Sequence, residues 1–200
     1  MKALPVSAAL LVFAGVASAQ ERVPQDHAEK IAHLLVEQAA KQADLPFPSE
    51  ADPHKPFAIH SAGRAAVIIP AKGLSADALA RAGKDITPVG QLWFRQIAPY
   101  AAGKVTPNDQ LRIVTVRANG EDHALPLCLL GVRKSDKGEP ELLVFGKGKE
   151  PLLRLPLQKI DRKQELPIEL EAKRDGDTAR LTLNLLGKYQ AVLPVAEQAP

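Results

Sequence analysis

Apolar and polar positions alternate most regularly in the last third of the chain. Ile168, Leu170 and Ala172 interleave with Glu169, Glu171 and Lys173, and Leu181, Leu183 and Leu185 interleave with Arg180, Thr182 and Asn184. A period of two sends successive side chains to opposite faces of a pleated strand, so both stretches read as strands with one face in a core and the other in water. Asp175-Gly176 between them supplies the turn of a hairpin, and residues 191–195 close the domain.

Similar punctuation runs upstream. Residues 57–60 and 65–69 flank Ser61-Ala62-Gly63-Arg64, a hairpin signal, and residues 91–97 form the next expected strand. Residues 111–117 and 124–133 flank Asn119-Gly120, where both residues tolerate positive φ, and Asp136-Lys137-Gly138 leads into a strand over 141–145. Ser75 as N-cap and Gly83 as stop mark a short helix over 75–81. Pro99, Gly103 and Pro107 interrupt the stretch 98–109, which carries no readable register.

Near the N-terminus the period changes to that of a helix. Asp26 and Glu29 have capping-box spacing, and Ile31, Leu34, Leu35 and Ala39 follow on one face, with Lys30, Glu37 and Lys41 opposite. The spacing predicts an amphipathic helix over 27–43 that docks through its Ile/Leu stripe. Pro46, Pro48, Pro53 and Pro56 then impose an extended connector, which would let helix and β-domain move separately.

The first nineteen residues have a different character. Lys2 precedes an apolar run over 4–16, and Ala17-Ser18-Ala19 has the small-residue spacing of a signal-peptidase site. The run contains Pro5, Ser7 and Gly15 and is shorter than the roughly 20 residues that span a bilayer. The expectation is a cleaved signal peptide, a mature protein beginning at Gln20, a secreted or periplasmic location, and no stable membrane anchor after cleavage.

These elements amount to nine or ten short strands with no helix recurring between them. The expected fold is mainly β: an antiparallel β-sandwich or open barrel with an N-terminal amphipathic helix and one short helix. The expected layout is a signal peptide over 1–19, helix and connector over 20–56, a β-rich domain over 57–195 and a tail over 196–200.

Composition narrows the chemistry. Cys128 is the sole cysteine, so no intramolecular disulfide forms even in an exporting compartment, and its apolar neighbours Leu127, Leu129 and Leu130 mark it as a core residue. Aromatic residues make up 4% of the chain, too few for the stacked platforms of a carbohydrate-binding surface. Residues 133–163 are rich in Lys and Arg, but Asp136, Glu139, Glu141, Glu150 and Asp161 are interspersed, the pattern of a solvated surface; no nucleic-acid partner is expected. Phe145-Gly146-Lys147-Gly148-Lys149 lacks phosphate-loop spacing and reads as a turn.

Three constellations remain as candidates. If Leu92 and Phe94 face the core, Gln91, Trp93 and Arg95 share the other face of one strand, where an exposed indole beside an amide and a guanidinium would make a binding face; the alternative is that this lone tryptophan is buried under the N-terminal helix or a second layer. Five histidines raise the question of metal, with Glu29 and His33 on one helix face, but no sequence pattern supplies three or four convergent ligands, and neither metal nor cofactor is expected. No G-x-S-x-G elbow is present, and His60-Ser61 are strand neighbours that point apart.

The favoured function is an exported binding or interaction module engaging another protein or an extracellular polymer through Gln91, Trp93 and Arg95. The alternatives are an extracytoplasmic hydrolase assembled from His60, His123 and a distant carboxylate, and a structural subunit docked through Ile31, Leu34 and Leu35.

Overall fold

The computed structural model describes residues 20–118 and 120–198, so the expected signal peptide lies outside the described residues. The chain begins with β1 (Glu21–Arg22), α1 (Gln25–Ala39), β2 (Phe57–Ser61), β3 (Arg64–Pro70), α2 (Ala76–Ala80) and β4 (Thr87–Arg95). Next come β5 (Ile97–Ala101), β6 (Lys104–Val105), β7 (Arg112–Ala118), β8 (Glu121–Lys134) and β9 (Pro140–Phe145). It ends with β10 (Leu153–Pro156), β11 (Gln158–Lys159), β12 (Ile168–Asp175), β13 (Thr178–Leu185) and β14 (Tyr189–Glu197).

The strands form two packed antiparallel sheets. The first has eight strands in the order β1-β2-β3-β4-β8-β9-β10, with β7 paired to β8. The second has six in the order β12-β13-β14-β5-β6, with β11 paired to β14. The chain crosses between sheets at Gln96, whose φ of 58° turns β4 into β5.

Two hydrophobic clusters lie on opposite faces of the first sheet. One fills the space between the sheets and holds Ile59, Ile68, Leu92, Phe94, Cys128, Leu130, Leu170, Leu181, Leu183 and Val195. The other lies beneath α1 and the segment 45–51 and holds Leu35, Phe47, Ile69, Trp93, Leu127, Leu129 and Phe145. The central strands of the first sheet are therefore buried on both faces, which accounts for their unbroken apolar runs. The outer face of the second sheet is polar along β12 and β13, with Glu171, Lys173 and Arg180 exposed, Glu169 and Thr182 half-buried and Asn184 fully buried.

Helix α1 differs from the expected 27–43. It starts at Gln25 with Pro24 as N-cap and no side-chain cap, and the amides of His27 and Ala28 both reach Pro24 O. With the N-cap at Pro24, Asp26 falls inside the first turn and Glu29 accepts from Gln25, so the Asp26 and Glu29 box does not form. The docked face is Ala28, Ala32, Leu35 and Ala39, with Leu34 partly buried and Ile31 40% exposed. Small residues let the helix lie close to the sheet, and the larger Ile31 is turned out.

Proline accounts for the other departures. Pro99 lies inside β5, which pairs with β14 on one side and β6 on the other. β8 runs through Pro126, and its pairing with β4 stops beside it at Trp93 and Leu127. Having no N–H to give, Pro126 suits the point where one neighbour is lost. The β4–β8 register shifts between Pro88 and Gly90, and a Cβ at Gly90 would run into Ile69 O.

Candidate functional site

Gln91 and Trp93 share a face as expected, but that face is covered. Trp93 is 1% and Gln91 5% exposed, beneath α1 and the 45–51 segment, while Arg95 alone of the three is exposed. The indole Nε1–H donates to Gln91 Oε1 at 3.2 Å. The expected surface of indole, amide and guanidinium does not exist. The first sheet buries both faces, and alternation within one strand cannot reveal a second covering layer.

The histidines do not converge. His33 on α1 meets His54 of the connector edge to face, with ring centroids 4.9 Å apart, and Glu29 accepts from Gln25 instead. His60 lies 3.7 Å from Glu21, whereas His123 sits on β8 with β3 and β4 between its strand and β2. Among the described residues no three His, Cys, Asp or Glu side chains gather as a metal would require. Cys128 is fully buried between the sheets, and burial pushes its thiol up to about 12, so it carries no thiolate at neutral pH.

The arginines of the basic segment, Arg133, Arg154 and Arg162, are paired with carboxylates. Glu141 joins Arg133 at 2.9 Å and Arg154 at 3.3 Å, Arg162 reaches Glu171 at 2.6 Å, and Lys188 reaches Asp161 at 2.6 Å.

The geometry assembles a different site, at the seam where the first sheet's β2–β3 hairpin faces β12, β13 and the end of β14. Here a cleft of about 230 Å³ opens from the inter-sheet core to solvent. Ile59, Ala66, Leu181 and Val195 form its buried floor, with half-buried Ile97 and Ala179 beside them. The hairpin turn is tight enough to hold one wall in place, because Ala62 and Gly63 adopt φ of 47° and 82°.

The mouth is charged. Arg64 at the start of β3 crosses to Glu197 at the end of β14, its Nη2 donating to both carboxylate oxygens at 2.9 Å. Its Nε is buried without a hydrogen-bond partner. Arg174 uses Nε to reach Gly176 O at 3.1 Å, and Asp177 stands beside it on the β12–β13 turn.

The N-terminal residues tie the two sheets together here. β1 pairs with β2, Arg22 lies over the Phe57 ring and 3.7 Å from Glu165, and Gln20 Oε1 accepts from the Ala172 N–H of β12. Sequence reasoning missed the cleft because its residues come from five separate stretches of chain. The one local signal was the pair of hairpins whose turns meet there.

No protein-family model, curated protein or solved structure matches this chain.

Proposed function

We propose that this chain is an exported β-sandwich binding module that takes an aliphatic group of its partner into the seam cleft. The supporting observation is the cleft itself, an aliphatic floor continuous with the inter-sheet core and ringed by Arg64, Arg174, Asp177 and Glu197. The aliphatic floor gains from excluding water and holds no Trp, Tyr or Phe for sugar stacking. The cleft falls below the roughly 300 Å³ of ordinary small-molecule pockets, a size suited to one side chain or a short acyl group.

Octanoate is the simplest probe. At about −0.4 kcal/mol per heavy atom its ten heavy atoms give a Kd of about 1 mM. Titration into isotope-labelled protein is expected to shift the amide resonances of Ala66, Ala172, Ala179 and Val195, and Ala179→Trp, which fills the cleft, is expected to abolish those shifts. Absence of any shift at these residues in the unsubstituted protein at 20 mM octanoate rejects the reading.

A further inference from the structure

We propose that the aliphatic group belongs to an extended peptide, which binds by adding a strand to the free edge of β12 and places an aliphatic side chain in the cleft and an acidic one against Arg174. This deepens the preceding proposal and rests on it.

β12 is the terminal strand of the second sheet, paired only with β13 among the described residues. Its outward edge already accepts an amide oxygen. The Ala172 N–H points away from β13 and is taken by Gln20 Oε1, a side-chain carbonyl with the acceptor chemistry of a peptide C=O. Antiparallel alternation turns the amide of Arg174 in the same direction. A peptide alongside β12 therefore meets donors at the spacing of its own carbonyls, the geometry of strand addition.

Side-chain direction sets the sequence of the partner. Ala172 and Arg174 lie on the same face of β12 as core residues Ile168 and Leu170, the face turned toward the cleft. On an antiparallel added strand the residue opposite Ala172 points into the cleft, and the residue two positions earlier faces Arg174. The Arg174 guanidinium is exposed and makes no ion pair among the described residues, so an acidic residue complements it. The recognised motif is thus acidic, any, aliphatic. Gln20 holds the position of the incoming carbonyl, and the peptide must displace it.

The test uses acetyl-Thr-Glu-Thr-Leu-Thr-amide, titrated by calorimetry and NMR into protein expressed from the full-length sequence. The expected result is a shift of the cleft amides and slowed exchange of the Arg174 amide. Replacing the peptide's Leu by Asp, or methylating the backbone nitrogens of its Leu and Glu, which donate to the Ala172 and Arg174 carbonyls, is expected to weaken binding at least tenfold, and Glu by Lys about fivefold. Gln20→Ala is expected to tighten the peptide about fivefold by removing the competing acceptor. The proposal is overturned if the methylated peptide binds as well as the parent, or if octanoate shifts the cleft amides and the peptide does not; the cleft reading survives either outcome. If neither probe perturbs the cleft, both fall together.

Discussion

Trp93 and Gln91 satisfy one another inside the layer between α1 and the first sheet, the indole N–H donating to the amide oxygen two residues away on β4. Gln91→Leu keeps the volume and removes the acceptor. The expected cost is about 1–3 kcal/mol, the penalty of a buried donor left without a partner. Urea denaturation followed by the fluorescence of the single tryptophan measures it, and a loss below about 0.5 kcal/mol would show that the bond is dispensable.

Arg112 borders the same layer from β7, with Leu127 of β8 as register partner to both it and Trp93. Its guanidinium donates to Ala43 O and Asp44 O at 3.0 Å each and to Lys147 O at 3.2 Å, fastening the segment that follows α1 to the turn after β9. Burial lowers its pKa, partly offset by Asp44, yet an arginine stays charged at any pH where the protein is handled. Arg112→Met is expected to destabilise the fold by about 3 kcal/mol and to open the 43–44 segment to limited proteolysis. Wild-type resistance in the variant would refute that role.

Cys128 gives the chain an alkaline limit. Its thiol rises from 9.0 to about 12 because the charged form is desolvated between the sheets. Between those two values the unfolded chain has lost the proton and the folded one retains it, so stability falls by about 1.4 kcal/mol per pH unit as pH rises. Below the lower value the term vanishes. Cys128→Val is expected to remove this slope, seen as a difference between the two stability profiles from pH 9 upward. At pH 8 the native thiol is expected to react with a thiol reagent only as fast as the protein opens.

The N-terminus makes a simple mass prediction. Protein recovered from the medium or periplasm of an exporting host is expected to begin at Gln20, lighter than the full translation product by residues 1–19. Recovery with Lys2 still attached would contradict export by a cleaved signal.

The parts of the fold that the sequence predicted well are those where one face meets water. β12 and β13 alternate because the outer face of the second sheet is polar, and Gly63 marks the β2–β3 turn and Gly176 the β12–β13 turn because positive φ suits glycine. β4 and the second half of β8 are buried on both faces, so Val89 through Phe94 gives no sign of which face the helix layer covers. Alternation alone therefore cannot decide between an exposed Trp93 and one buried beneath the helix, and the structure has the buried one. β5 went unread because Pro99 argues against an interior strand, and there a second-sheet neighbour on each side outweighs the missing donor. The cleft was invisible for a different reason: Ile59, Ala66, Leu181 and Val195 look like ordinary core positions, and only the three-dimensional meeting of their strands lines a cleft with them.

The first sheet, packed on both sides, also places Trp93 and Cys128 on opposite faces of neighbouring strands, where Leu92 is the register partner of Cys128. The chain thus holds one native optical reporter for the helix side and one native chemical reporter for the sheet-on-sheet side. Comparing the midpoint of tryptophan emission with the onset of thiol labelling, in the same urea series and without any added label, tells whether the two interlayers separate in one step or peel apart in sequence.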